Sequence, residues 1–348
     1  MARSHSIAPF AGQPPASPAL PHGGELDAAR RLYPDAPQPW IDLSTGINPW
    51  PYPVEPVSRE AWTRLPGADA LARLLTAAAQ CYGAPGPADV VAAPGTQALI
   101  QMLPRLRHPG RVVIQAPTYA EHARCWALAG HEVVLVDDPE AGLDSADVCI
   151  IVNPNNPDGR RHDPTRLGRW AARLAARGGW LLVDEAFSDA DPGLSAARFV
   201  GSPGLVILRS FGKFYGLAGV RLGFVLTDAG LAGRIADMLG PWAVAGPALE
   251  VGTRALLDHA WADRTRRRLT AAAAGLDQIL SHGGLDVLGG TSLFRLAGIR
   301  DAEVLFERLA RAGIWVRRFP DQPDRLRFGL LPDDRAADRL QDALAGRP

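Results

Sequence analysis

Lysine is almost absent from this chain. Of its 37 basic side chains only Lys213 is a lysine, and the rest are arginine. The formal net charge is zero, so there is no basic field for nucleic acid. The densest basic run, Arg264, Arg266, Arg267 and Arg268, leads into an alanine-rich helical pattern and reads as a solvated helix face. No apolar run approaches the roughly 20 residues of a membrane helix. Residues 1–24 hold no apolar stretch of the signal-peptide kind, so the cytoplasm is the expected place. Only three cysteines occur, Cys81, Cys125 and Cys149. They are far apart, which excludes a disulfide framework and zinc-binding spacings, so no metal is expected. Cys149, in "DVCIIVN", reads as a buried strand thiol.

What is present is enough for a large core: 348 residues, 47% of them hydrophobic. Residues 1–40 are rich in proline and glycine and read as an irregular arm with one short helix, "GELDAARRLY". From about residue 68 helices and strands alternate. "GADALARLLTAAAQCYG", "AEHARCWALAG" and "DPTRLGRWAARLAARGG" have helical periodicity, the last with Asp163 as its N-cap. "DVVAA", "RVVIQAP", "HEVVLVD", "ADVCIIVN", "WLLVDEAF", "GLVILRSF" and "VRLGFVLT" are short continuous apolar runs ended by Gly, Pro or polar residues. Such runs between helices predict an α/β fold, with a mostly parallel sheet covered on both faces by helices. After about residue 230 come "GLAGRIADMLG" and one long helical stretch over 246–284. The strands "TSLFRLAG", "GIWVRRF" and "RLRFGL" and a last helix follow, as in a smaller α+β unit. The expected division is an arm over 1–45 packing with the small domain, a large domain over 46–235 and a small domain over 236–348.

Ligands in such folds bind beyond the carboxyl ends of the strands. Gly95, Thr96 and Gln97 follow one strand at a helix start, where free N–H groups suit a phosphate. Tyr119 follows the next. The run from Asn153 to Gly159 follows a third and is rich in turn formers. Asp184 and Glu185 end a buried strand, where a carboxylate needs a partner. Ser210 ends another, with Lys213 three residues on and Arg221 eight beyond that.

An arginine replaces lysine as a surface charge. It cannot replace a primary amine that condenses with an aldehyde, because its guanidinium stays protonated. Pyridoxal phosphate needs such an amine. It also needs an anion at its pyridine nitrogen, a phosphate cradle, an aromatic face and a donor to its phenolate oxygen. The strand ends supply a candidate for each.

These residues resemble the aminotransferase superfamily of fold-type I pyridoxal-phosphate enzymes. "NPNNPDG" is similar to its Asn-Pro-x-Asn-Pro-Thr-Gly motif and "VDEAF" to its Asp-x-Ala-Tyr motif. "SFGKFYGLAGVRLGF" is similar to its Ser-x-x-Lys segment and following Arg-x-Gly. The resemblance runs from about residue 40 to the end. It implies that Lys213 carries the cofactor and later moves protons. Asp184 would pair with the pyridine nitrogen, Asn156 would donate to the phenolate oxygen and Tyr119 would stack on the ring. Thr96, Gln97, Ser210 and Arg221 would hold the phosphate, and Arg327 in "LRFGL" would clamp a substrate carboxylate. A homodimer is the family habit. Three positions depart from the pattern. Phe187 stands for a tyrosine, Leu65 for a tyrosine lent by a partner subunit, and Asp158 for a threonine.

Within the superfamily the chain resembles histidinol-phosphate aminotransferases and, more, the threonine-phosphate decarboxylases of cobalamin biosynthesis. "PHGGELDAARRLY", "WIDLSTGINPWPYP" and "DEAFSD" carry the second likeness. It implies that His22, Gly23 and Gly24 line a substrate-phosphate pocket, with Asn48 among the substrate-binding residues and Arg317 on the phosphate. The expected substrate is a small phosphorylated amino acid. The expected reaction is decarboxylation of L-threonine O-3-phosphate. An aminotransferase acting on a compound such as histidinol phosphate, or a non-catalytic pyridoxal-binding regulator, would share the cofactor residues.

Overall fold

The computed structural model describes residues 23–346, so His22 lies outside the described residues. The apolar runs form strands where turn formers bound them, and several helices start at a residue whose side chain caps them. α1 (Leu26–Leu32) leads to the three-residue β1 (Ile41–Leu43). α2 (Arg59–Thr63) starts at Ser58, whose hydroxyl accepts from the Ala61 N–H. α3 (Ala68–Tyr82) stops at Gly83, which turns the chain with φ +74°. Then come β2 (Val90–Ala93), α4 (Thr96–Met102), β3 (Arg111–Gln115), α5 (Glu121–Leu128), β4 (Glu132–Val136) and β5 (Val148–Val152). α6 (Pro164–Ala175) begins at Asp163, whose carboxylate accepts from the Thr165 and Arg166 N–H groups. β6 (Trp180–Asp184), β7 (Leu205–Ser210), the four-residue α7 (Phe211–Phe214) and β8 (Gly223–Leu226) follow.

β2 to β8 form one seven-stranded sheet, in the order β2-β8-β7-β6-β5-β3-β4. Its pairs are parallel except at β8, which runs antiparallel to both neighbours. Alternate residues enter opposite cores. Val113, Cys149, Val183 and Ile207 pack on one face, and Ile114, Ile150, Leu182 and Val206 on the other. Burial on both faces is why these strands read as continuous apolar runs.

The rest of the chain is α8 (Ala229–Leu239), α9 (Gly246–Leu257), α10 (His259–His282), β9 (Asp286–Thr291), β10 (Phe294–Gly298), α11 (Ala302–Arg311), β11 (Ile314–Arg318), β12 (Arg325–Gly329) and α12 (Asp334–Leu344). The long helical stretch is thus two helices. Asp258 breaks it, because its carboxylate accepts from the Trp261 N–H and caps α10. A five-stranded sheet has the order β1-β11-β12-β10-β9. Two of its strands escaped the sequence pattern. β1 is too short to show a period, and β9 contains Gly289 and Gly290, poor strand formers.

The sheets meet at a glycine seam. A Cβ on Gly159 would stand 2.0 Å from the Gly290 carbonyl oxygen, and one on Gly289 would stand 2.3 Å from that of Asp158. The turn that carries Asn156 therefore touches β9 main chain to main chain. Among the described residues no helix is long and apolar enough to cross a membrane, and no cluster could hold a metal ion.

Candidate active site

The strand ends converge as their sequence positions demand. Ser210, at the end of β7, pairs with Gly223 of β8. A Cβ on Gly223 would lie 2.5 Å from the Thr96 nitrogen, and one on Gly95 would lie 2.8 Å from Arg221 Nη2. Gly95 has φ +85°, so its backbone favours glycine, and a side chain there would also displace the Arg221 guanidinium. Arg221 itself has φ +53°, an uncommon backbone for a residue with a side chain. Thr96, Ser210 and Arg221 thus surround the first turn of α4. Gln97 differs from them. Its side chain donates to Glu121 Oε2 at 2.9 Å and accepts from the Tyr119 hydroxyl at 3.3 Å. That leaves its main-chain N–H for the cradle. Burial, with Glu121 and Asp184 adding, pushes the Tyr119 hydroxyl up to about 12.

Asp184 ends β6 and is buried. Its Oδ1 accepts from the Ala186 N–H at 3.0 Å, and its Oδ2 lies 2.8 Å from His122 Nε2. His122 is fully buried, and its Nδ1 has no partner. His122 lies outside the strand-end motifs. The available signal was its place one helical turn after Tyr119, whose ring it meets edge-on at 6.0 Å.

Lys213 sits on α7, and its turn is held from residues 48–52. The Asn48 N–H donates to the Lys213 carbonyl at 3.0 Å, and the Tyr52 N–H donates to that of Tyr215 at 2.9 Å. Asn48 Nδ2 donates to the Phe214 carbonyl at 2.9 Å, and Asn48 Oδ1 accepts from the Trp50 N–H at 2.9 Å. Asn48 was expected among the substrate-binding residues. Its amide is buried, and its Oδ1 and one N–H of its Nδ2 are bonded to main chain. The Lys213 amine lies 5.9 Å from the centre of the Phe187 ring, which packs edge-on against Phe294 at 5.0 Å. Burial pushes that amine down to about 8; Arg327 and Arg221 push the same way and Asp184 opposes them. A condensable amine needs its neutral form, and this environment brings that form from the range of a free lysine down to about pH 8.

Arg327 on β12 and Arg317 on β11 are register partners across an antiparallel pair. Arg327 is buried. It donates from Nη1 to Asn156 Oδ1 and from Nη2 to the Ser44 carbonyl at 2.8 Å. A guanidinium only donates, so Asn156 Oδ1 faces it and Nδ2 is left as a donor. Burial pushes Arg327 down to about 9, with Arg317 adding to the effect. Gly23 and Gly24 reach this place through Ser44. The Gly24 N–H donates to Ser44 Oγ at 2.7 Å, and a Cβ on Gly23 would lie 2.4 Å from the Ser44 carbonyl oxygen. A cavity of about 400 Å³ opens beside them, lined by Ser44, Phe306, Trp315, Arg317 and Phe319. Of the departures, Asp158 closes the turn by accepting from Asn155 Nδ2 at 2.7 Å and the Arg160 N–H at 3.0 Å. Leu65 is 67% exposed.

Behind Asp184 lies a charge cluster whose members are spread along the sequence. The buried Arg209 guanidinium sits 2.7 Å from Glu185, 2.8 Å from Asp189 and 4.4 Å above the Tyr82 ring. It anchors both sides of the turn that carries Phe187.

Pyridoxal phosphate fits this donor set. Gly95 leaves the Arg221 guanidinium lying against bare main chain, Asp184 is fixed as an acceptor, Asn156 keeps a free amide donor, and the amine is depressed toward its neutral form. The sheet with its one antiparallel strand, carrying these groups on its strand ends, defines a fold-type I pyridoxal-phosphate enzyme. The chain belongs to the aminotransferase class I and II family, which it matches over residues 54–344. It is 48% identical to a threonine-phosphate decarboxylase of Pseudomonas aeruginosa, over 94% of this chain and 98% of that protein. It is 45% identical to a threonine-phosphate decarboxylase of a Sinorhizobium species, over 93% of this chain and 97% of the other. Among solved structures, histidinol-phosphate aminotransferase from Sinorhizobium meliloti in complex with pyridoxal-5'-phosphate superposes with a TM-score of 0.80. That match covers 98% of this chain and 100% of the other at 20% identity, a likeness of fold.

Proposed function

We propose that this enzyme decarboxylates L-threonine O-3-phosphate to (R)-1-aminopropan-2-ol O-2-phosphate, a step of cobalamin biosynthesis. One observation carries the substrate class. Arg317 and Arg327 are register partners on neighbouring antiparallel strands, which places two guanidiniums on one side of the sheet, a pairing suited to a ligand with two anionic groups. A substrate with both a phosphate and a carboxylate supplies those anions. The decarboxylase relatives at 48% and 45% identity support the reaction.

Bound pyridoxal phosphate supplies an electron sink for the pair left when a bond at the substrate Cα breaks. Thr96, Ser210, Arg221 and the Gln97 N–H would hold its phosphate. Asp184 would face its pyridine nitrogen, Asn156 Nδ2 its phenolate oxygen and Tyr119 its ring. Arg317, beside Gly23 and Gly24, takes the substrate phosphate, and Arg327 takes the carboxylate. Two anchored anions fix the rotation about Cα, which selects the carboxylate bond for cleavage. Carbon dioxide leaves without the bonding pair. Cα then gains one proton, delivered by Lys213 or by a water that it holds.

We place the enzyme in the cytoplasm, where its three free cysteines stay reduced, and read it as a homodimer. An exposed apolar face supports the dimer. Trp62, Leu65 and Trp242 are 70%, 67% and 59% exposed. Gly246, close after Trp242, packs against the Ala61 carbonyl beside Trp62. Light scattering of the purified protein tests it, and a monomer overturns it.

The test of function is O-phospho-L-threonine with purified holoenzyme and no keto acid. Release of carbon dioxide is expected. A strict requirement for 2-oxoglutarate would assign an aminotransferase. Inactivity toward every amine offered would assign a binding protein.

A further inference from the structure

The segment 44–48 crosses between the two sheets, and each of its ends touches one half of the site. At one end the Ser44 carbonyl accepts from Arg327 Nη2 at 2.8 Å. At the other end Asn48 donates twice to the Lys213 turn, from its main chain to the Lys213 carbonyl and from Nδ2 to the Phe214 carbonyl. Between them the chain has no slack. A Cβ on Gly46 would stand 2.9 Å from both the Phe187 and the Phe294 rings. β1 fixes the segment on its N-terminal side by pairing with β11. On its C-terminal side Gly216, at φ +67°, lets the lysine turn close on it, since a Cβ there would lie 2.8 Å from the Asn48 carbonyl oxygen.

α7 is only four residues long, too short to hold its own last carbonyls. The Lys213 carbonyl also accepts from the Gly216 N–H at 3.3 Å, but those of Phe214 and Tyr215, both buried residues, take donors from outside the turn. Asn48 and Tyr52 supply them.

We propose that Asn48 is a positioning residue for Lys213, and that residues 44–48 act as a strap that sets the lysine amine against the Arg327 guanidinium. The proposal rests on Lys213 being the reactive amine, as read above. Loss of the Asn48 amide leaves the Phe214 carbonyl buried without a donor. The lysine turn then relaxes toward water, away from the arginine that suppresses its charge.

The test uses the composition of the chain. Lys213 is the only lysine, so an ε-amine reagent followed by peptide mass analysis reports that amine alone. The variants are Asn48→Ala and the isosteric Asn48→Asp. The control is Thr227→Val, which removes another buried hydrogen bond to a carbonyl, that of Leu205 at 2.7 Å, away from the site. In the full chain freed of cofactor, both Asn48 variants are expected to raise the pH midpoint of Lys213 labelling, and the control is not. In the holoenzyme, kcat with O-phospho-L-threonine is expected to fall about ten-fold, with KM within about two-fold. If the Asn48 variants lose only thermal stability, as the control does, and keep the wild-type midpoint and kcat, the positioning role is overturned. A wild-type protein that labels as expected but releases no carbon dioxide sinks the reaction assigned above and leaves the strap standing.

Discussion

Arg317 and Arg327 stand directly opposite each other on β11 and β12, with Arg327 buried and bonded to Asn156 and Ser44. Those bonds tie Arg327, the neighbour of Arg317, to the Asn156 turn and to the segment that follows β1. Arg317→Ala is expected to raise KM for O-phospho-L-threonine about 10- to 100-fold, the worth of one or two charged hydrogen bonds. Arg327→Leu is expected to lower kcat/KM by more, because it also frees Asn156. Steady-state release of carbon dioxide measures both. Equal, small effects would mean that the pair does not hold substrate.

The Lys213 amine is expected to titrate near pH 8 in the cofactor-free chain. Burial and Arg327 disfavour the ammonium, so the neutral form gains and the folded value falls below 10.5. Labelling of this single amine should therefore be slow below about pH 8 and level off above it. Arg327→Leu removes a neighbouring cation and should move the midpoint up. In the holoenzyme, Lys213→Arg should remove the visible absorbance band of bound cofactor while leaving the fold intact by circular dichroism.

His122 buttresses Asp184 from inside the protein at 2.8 Å. His122→Leu leaves that carboxylate buried with one main-chain donor, a loss of about 1–3 kcal/mol. Thermal unfolding should show the loss. On the proposed reading that Asp184 faces the pyridine nitrogen, absorbance titration of the apoprotein should show weaker cofactor uptake, because that carboxylate is no longer fixed. Unchanged uptake would separate His122 from the cofactor site.

Arg209 neutralises Glu185 and Asp189 at 2.7 and 2.8 Å, with all three side chains nearly inaccessible to solvent. Arg209→Met is expected to cost about 3–5 kcal/mol in urea unfolding, because it strands two buried carboxylates. Adding Glu185→Gln and Asp189→Asn to the same chain should recover part of that loss, since amides tolerate burial better than unpaired charges. Failure to recover would indicate that the loss comes from packing against Tyr82.

Groups that follow an apolar strand were legible in the sequence. Lys213, Asp184, Asn156 and Ser210 each announce a strand end, and strand ends in this fold meet. What was not legible depends on pairing across long stretches of chain. Asn48 reaches the Phe214 carbonyl across 166 residues, and no local pattern marks that contact. Arg209 sits inside the run "VILRS", where its two carboxylate partners come from a different strand's turn. β9 was hidden for a related reason. Its glycines serve contact with another main chain, while strand propensity reports side chains packing on a pleated face.

That seam has a mechanical consequence. Gly159, Gly289 and Gly290 present bare backbone to each other's neighbours, with no room for a methyl group on either side. A joint of this kind has no side-chain rotamers to reset, so main chain alone sets its spacing. The Asn156 turn rests on it as on a bearing surface. Even an alanine there would act as a shim, displacing a hydrogen-bond donor of the active site from a distance.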